Sequence, residues 1–385
     1  MKKIAIIGGG FGGIYTTKYL EKYASKYNLE ITLFDEKNYF LFTPLLHEVA
    51  TGALDEDLIT EPFLTTIPKN TKFVYGRVEK IDLDYKKIFA NNIEFDFDYI
   101  VVSTGSRTNT FGIESVSKNT LKLKTINDAL SVKNKLSKII HTNKEASIVV
   151  VGGGATGVEL ICEIKEYLSE FSTLSHSYYL IEASNSLIST FSKGSQNYVS
   201  SYLSSCGIVS MTNSRVSNVF EQKVILENGQ SIDADLVIWT AGVAPLYPEI
   251  NNLVVFDNKR IEINEFLQIQ NYNYAFACGD VANGHPCLAQ VAEKQAKILS
   301  KNLIKIIINK PLLKYKKQSY PLLLSLGHNN ALFQIFNLHF NGKLIWFLWR
   351  TVYLFKIPTL KKQIEIAINW TWELFSKRDV SIFND

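Results

Sequence analysis

Two glycine fingerprints restrict what this chain can become. Lys3-Ile-Ala-Ile-Ile-Gly8-Gly-Gly10-Phe-Gly-Gly13 is a short apolar strand running into GxGxxG, with a helical pattern continuing through Leu20. Ser147-Ile-Val-Val-Val-Gly152-Gly-Gly154-Ala-Thr-Gly157-Val-Glu159-Leu160 repeats the arrangement. In such a unit the first glycine allows a tight turn, the second lets a pyrophosphate approach the backbone, and the third lets helix pack on strand. The helix N-terminus then turns its partial positive charge to the phosphates. A second strand follows each motif: LEITLFD ends in Asp35 and HSYYLIEAS carries Glu182, each where a carboxylate accepts hydrogen bonds from a ribose. The expected fold is α/β, with two dinucleotide-binding domains.

Glu182 bears on selectivity. A carboxylate there accepts from a free 2′-hydroxyl and repels a 2′-phosphate, and no arginine is close in sequence, so NADH is expected over NADPH. Two further strands, FDYIVVSTGS (Phe97 to Ser106) and ADLVIWTAGVAP (Ala234 to Pro245), end alike at Thr104-Gly105 and Ala241-Gly242, where a chain crosses between nucleotide domains. YAFACGDVAN then delivers Asp280 on a Gly279-Asp280 turn, ahead of an amphipathic helix from about Leu288 to Ile307.

Composition excludes other classes. With 385 residues, 46% hydrophobic and 20% charged, the chain is ordinary globular material for two domains. Cys162, Cys206, Cys278 and Cys287 show neither CxxC nor zinc spacing, and the histidines show no ligand spacing, so neither a disulfide framework nor a metal site is expected, and a reducing compartment fits. Ile4 to Ile7 is too short an apolar run for a signal peptide. No stretch reaches the roughly 20 apolar residues of a spanning helix.

The C-terminal segment differs from the rest. Residues 311–385 hold ten Lys/Arg against four Asp/Glu, a net +6 in a chain whose total is +4. Trp346, Trp349, Trp370 and Trp372, four of the five tryptophans, lie there, the first two inside LIWFLWRTVYLF (Leu344 to Phe355). Basic, tryptophan-rich sequence suits a lipid headgroup surface. Trp346 and Trp349 are expected in the interface plane with Arg350 among headgroups, and burial in a homodimer interface is the competing expectation. These charges alternate with apolar residues instead of forming a basic groove, so nucleic acid is not an expected partner. QIEIAIN alternates like a strand amid helical surroundings, which leaves its secondary structure open.

Taken in order, these residues resemble the two-dinucleotide-binding-domain flavoproteins, glutathione-reductase-like folds with two Rossmann-like domains. The narrower likeness is to the type II NADH:quinone oxidoreductases, carried by NYFLFTPLLHEVATGAL (Asn38 to Leu54), GGGATGVELICEI (Gly152 to Ile164) and LAQVAEKQA (Leu288 to Ala296). The resemblance implies FAD on Gly8, Gly10, Phe11, Gly12, Gly13, Asp35, Pro44, Thr104, Gly105, Gly279, Asp280, Ala289, Gln290 and Val291. It implies NADH on Gly152, Gly154, Thr156, Gly157, Glu159, Glu182, Ala241 and Gly242. Gln290 and Gln295 would meet a quinone headgroup, and Glu163 would act as proton or orientation partner. Pro44, Leu45 and Leu46 would cover the flavin, while Glu48 reads as polar surface and His47 as a structural or surface residue. The expected organisation is an FAD domain at 1–112 and 238–310, an NADH domain at 113–237, and a membrane-association region at 311–385 that touches lipid through 340–376.

The function expected from this resemblance is electron transfer from NADH through FAD to a membrane quinone without proton pumping, on the cytoplasmic face of a membrane. The absence of cysteine before Cys162 disfavours a disulfide reductase, and Cys278 and Cys287 match a sulfide:quinone reductase poorly. The alternatives are a soluble NADH-dependent reductase of a redox protein such as a ferredoxin, and a signalling flavoprotein resembling apoptosis-inducing factors.

Overall fold

Apolar runs that are covered on both faces become the central strands of two parallel sheets. The computed structural model describes residues 1–142, 144–253, 255, 259–316 and 319–373. Lys317, Lys377, Arg378, Asp379 and Asp385, which contribute to the tail charge, lie outside the described residues, as do 374–376 of the segment expected at a membrane. The chain divides into two compact units.

The first unit comprises 1–41, 60–107 and 243–318. Its parallel sheet runs Ala275–Ala277, Tyr99–Val102, Lys2–Ile7, Leu29–Asp35, Lys72–Tyr75. Ile6, Ile100, Val101 and Phe276 are wholly buried, as strands with both faces covered require. Helix Phe11–Tyr27 packs along strands Lys2–Ile7 and Leu29–Asp35 and against helix Ala289–Ile307. It stops at Asn28, which takes the left-handed conformation at φ 51° and returns its N–H to the Ala24 carbonyl. A smaller sheet, Glu249–Ile250, Val78–Asp82, Lys87–Ala90, Ile93–Asp96, shares a core with the first through Phe34, Ile81, Ile88 and Ile100.

The second unit comprises 42–59, 108–242 and the residues from Ser319 onward. Its parallel sheet runs Leu121–Lys122, Leu236–Trp239, Ser147–Val151, Ser177–Ile181, Ile208–Met211. An antiparallel meander, Leu322–Ser325, Ala331–Ile335, Leu338–Asn341, leads into helices Lys343–Leu354 and Leu360–Glu373. QIEIAIN is therefore helical. Phe42–Ile59, kept with the first fingerprint in the sequence reading, groups with the second, because its helix Leu46–Ala50 packs on helices Ile126–Thr142 and Ala155–Phe171. Among the described residues no helix is long and apolar enough to cross a membrane.

Candidate functional site

The two fingerprints fold into matching cradles. Gly8 sits at φ +96° and Gly152 at φ +114°, a conformation that side chains resist. A Cβ on Gly13 would stand 1.8 Å from the Gly8 carbonyl oxygen, and one on Gly157 would stand 1.9 Å from that of Gly152. Those two positions admit only glycine. Gly10 and Gly154 have nothing within 4 Å of where a Cβ would be, and the helices that start there carry no side-chain cap. Open space over uncapped amides is what a dinucleotide phosphate would fill.

A carboxylate closes each cradle. Asp35 accepts the Gly9 N–H at 2.5 Å on Oδ2 and the Lys37 N–H at 2.7 Å on Oδ1. Burial raises its pKa, and the two N–H donors counter that by stabilising the anion. Glu182 accepts the Gly153 N–H at 2.6 Å on Oε2 and the Ser184 N–H at 2.8 Å on Oε1. Each oxygen keeps acceptor capacity for a ribose hydroxyl.

Behind each turn stands a hydroxyl not singled out from sequence. The Ser103 Oγ–H reaches the Ile7 and Gly8 carbonyls, both at 2.9 Å, and the Thr240 hydroxyl reaches those of Val151 and Gly152 at 3.0 and 3.2 Å. The signal was available, since Ser103-Thr104-Gly105 and Thr240-Ala241-Gly242 are equivalent in the two strand ends. Thr104 donates its hydroxyl to the Leu246 carbonyl, Gly105 lies at φ +74°, and Gly242 at φ +67° backs onto Phe111. Phe11 packs edge-on to Phe40 at 5.1 Å, Gly12 backs onto the Cys278 thiol, and Thr156 is exposed on the first turn of its helix.

Around the Gly-Asp turn, Ser106 donates to Asp280 Oδ2 at 2.5 Å. Gln295 is wholly buried, and its Oε1 accepts the Gly279 N–H at 2.7 Å. It was expected at a quinone headgroup. The geometry instead makes it the fastener of this turn, with Nε2 left as a buried donor lacking a partner among the described residues. Gln290, half-buried, stands with Ala289 and the buried Val291 on the first turn of helix Ala289–Ile307.

In the second unit a cluster of polar groups is buried, and it includes Glu48, which was expected at the surface. Pro44 lies on the turn Thr43–Leu45, and the next helix buries both His47 and Glu48. Glu48 accepts the Trp370 indole N–H at 2.7 Å on Oε2, so it is no surface residue. Glu159, grouped from sequence with the NADH contacts, commits its carboxylate elsewhere: Oε1 accepts the Ser325 N–H at 3.1 Å and Oε2 lies 4.0 Å from His47 Nδ1. Glu163, one turn on, is buried too.

The tail is also corrected. Trp346 and Trp349 are 2% and 0% exposed, and Trp370 is buried with them. Arg350 does not reach out to headgroups. Its guanidinium carbon lies 3.9 Å from the Trp346 ring centroid and 5.0 Å from that of Trp370, and Nη1 donates to the Trp370 carbonyl at 3.1 Å. What faces outward is Leu344, Phe347, Leu348 and Phe355 on one helix and Leu360, Ile364, Ile368 and Trp372 on the next. Both helices are apolar on two sides, and periodicity cannot tell which side turns in.

A family model described as pyridine nucleotide-disulphide oxidoreductase matches residues 2–296. A "Probable NADH dehydrogenase" of Dictyostelium discoideum is 31% identical, the match covering 99% of this chain and 91% of that protein. A "Type II NADH:quinone oxidoreductase" of Haemophilus influenzae is 27% identical over 96% of each chain. The solved structure of NDH2 from Plasmodium falciparum in complex with NADH superposes with a TM-score of 0.89 over 99% of both chains, at 20% identity, a likeness of fold.

Proposed function

The chain belongs to the pyridine nucleotide-disulphide oxidoreductase family, and on that premise we propose that it is an NADH:quinone oxidoreductase with FAD on the first fingerprint and NADH on the second. The observation that carries this reading is the pair of matching cradles, each closed by a carboxylate that accepts a fingerprint amide. Disulfide chemistry has no equipment here, because no cysteine precedes Cys162, and Cys278 is buried with its thiol pushed up to about 12 by desolvation.

When bound, FAD supplies the redox chemistry, taking two electrons from NADH and passing them to the acceptor. The chain's own residues bind and orient. Gly8 to Gly13 and Asp35 hold the flavin dinucleotide with Thr104, Gly105, Gly279, Asp280 and the first turn of helix Ala289–Ile307. A bound carbonyl would give the buried Gln295 Nε2 donor the partner it lacks among the described residues. Gly152 to Gly157, Glu182, Ala241 and Gly242 hold NADH. Glu182 excludes a 2′-phosphate by charge, and the next arginine in sequence is Arg215. Gln290 orients the quinone, and Glu163 serves as its proton partner.

The outward apolar residues of the two C-terminal helices form the lipid contact. Lys343, Lys356 and Lys361 are exposed beside them, and each lysine near an anionic surface contributes about 1 kcal/mol. A quinone dissolved in the bilayer is then within the enzyme's reach. The placement is peripheral, on the face where NADH is available. The test is steady-state oxidation of NADH and NADPH by FAD-loaded protein with a short-chain quinone or a ferredoxin as acceptor, with and without vesicles. NADH with quinone is expected to be fastest. Flavin-free protein that resists loading, or faster turnover with ferredoxin than with quinone, overturns the proposal.

A further inference from the structure

Helix Ala155–Phe171 buries two glutamates one turn apart, Glu159 and Glu163, on the same side of the helix. Several neighbouring elements bring titratable groups toward Glu159. His47 and Glu48 come from helix Leu46–Ala50, Glu163 from its own helix, and Tyr353 from helix Lys343–Leu354. Lys133 is buried on helix Ile126–Thr142, which packs on both helices that carry these acids. The meander adds the Ser325 N–H. Three carboxyls in one water-poor cluster cannot all ionise cheaply, since burial penalises each charge and each charge repels the next. The cluster therefore keeps a proton at neutral pH.

Glu159 is the member that keeps it. Burial comes first and the Glu163 and Glu48 charges add to it, lifting its carboxyl from 4.5 to about 8 against the opposing Ser325 N–H. Glu48 has the Trp370 indole to steady its anion. Tyr353 is pushed up by burial and by Glu159, and Cys162 on the same helix is pushed up by burial, so both stay protonated.

We propose that Glu159 is the proton reserve of the quinone half-reaction, positioned by Ser325 and His47 and acting through Glu163. The proposal rests on the reading of Glu163 as proton partner. The balance requires such a reserve. NADH leaving as NAD⁺ releases two electrons and one proton, whereas a quinone becoming a quinol takes up two of each, so each turnover draws one more proton. The Glu159 O–H breaks to protonate the Glu163 carboxylate, the Glu163 O–H so formed breaks to protonate a quinone oxygen, and the Glu159 carboxylate, steadied by the Ser325 N–H, regains a proton from solvent. Glu159 is thus a positioning residue for the proton, one step removed from the substrate.

The test uses full-length, FAD-loaded protein and two readouts. The first is carbon-13 NMR of glutamate labelled at its side-chain carboxyl, titrated from about pH 5 to about pH 10, with E159Q for assignment. One carboxyl is expected to titrate far above the usual carboxylate range, to vanish in E159Q, and to move down in E163Q as a repelling charge is removed. The second is the pH profile of kcat with a short-chain quinone, compared with ferricyanide, which takes electrons without protons. The wild-type quinone rate is expected to fall about tenfold per pH unit above that carboxyl's pKa, with no such limb for ferricyanide. E159Q should lose the limb and turn over quinone more slowly below it, and H47Q should shift it. Absence of a high-titrating carboxyl in the wild type overturns the proposal, even where E159Q fails to fold. So does an unchanged alkaline limb in E159Q. A full quinone rate in E163Q, with the Glu159 signal still titrating, overturns instead the reading of Glu163.

Discussion

Gly13→Ala is the sharpest test of the first cradle. The added methyl would stand 1.8 Å from the Gly8 carbonyl oxygen and 3.0 Å from the Ser103 Oγ that donates to it. Ordinary C···O contacts are about 3.3–3.6 Å, so the turn must open by roughly 1.5 Å. That shift misplaces the amides of the helix's first turn, and hydrogen bonds to a charged group contribute about 1.5–3 kcal/mol each. Losing two weakens FAD binding by about 3 kcal/mol or more, over a hundredfold in Kd. The apo protein also loses about 1–3 kcal/mol from overpacking. Gly10→Ala is the control, because among the described residues nothing beyond its own chain neighbours lies within 4 Å of its Cβ position. It should leave the melting of the apo protein unchanged and weaken FAD binding, the methyl meeting only the pyrophosphate. Flavin fluorescence titration of apo protein reads Kd, and thermal melting reads stability. The reasoning is refuted if Gly13→Ala binds FAD with wild-type affinity, or if Gly10→Ala destabilises the apo protein as much as Gly13→Ala does.

Three other outcomes are expected. Trp370→Phe removes the donor to the buried Glu48 and should cost about 1–3 kcal/mol in urea unfolding, whereas Trp372→Phe, on an exposed residue, should cost little. Because folding raises the Glu159 pKa, its contribution to stability is full below the unfolded value of 4.5 and is lost as pH rises to about 8. Glu159→Gln should therefore gain on the wild type across that window, by on the order of 4 kcal/mol, in unfolding measured at each pH. Phe355→Glu with Ile364→Glu places charge on the outward apolar residues and should abolish sedimentation with anionic vesicles, while the melting temperature changes little. Retained vesicle binding would count against the lipid contact.

The cradles were legible because local geometry dictates them. A strand meeting a helix through a left-handed turn and a 1.8 Å clearance admits only glycine at Gly8 and Gly13, and the carboxylate at the next strand's end is placed by the same short unit. The Gly-Asp turn and the helix after it were legible for a similar reason. What sequence did not disclose was assembled over distance. Nothing near His47 or Glu48 announces that Trp370 and Glu159 will close over them, so residues that read as surface became interior. Trp346, Trp349 and Arg350 were misplaced for a different reason. Their helix is apolar nearly all round, and only packing on the meander decides that the tryptophans face inward while Leu344 and Phe355 face outward. Gln295 kept the expected position in sequence, but the turn it fastens had already claimed its oxygen.

The stacking of Arg350 between two indoles bears on how the segment after Gly342 is to be manipulated. It cannot be treated as a detachable module. A chain cut before that glycine loses its outward leucines and isoleucines, but it also strips Glu48 of its indole donor and opens the acid cluster to water. Inactivity of such a fragment would report a flooded interior, and grafting a foreign lipid anchor in place of the missing helices would restore the address without restoring turnover.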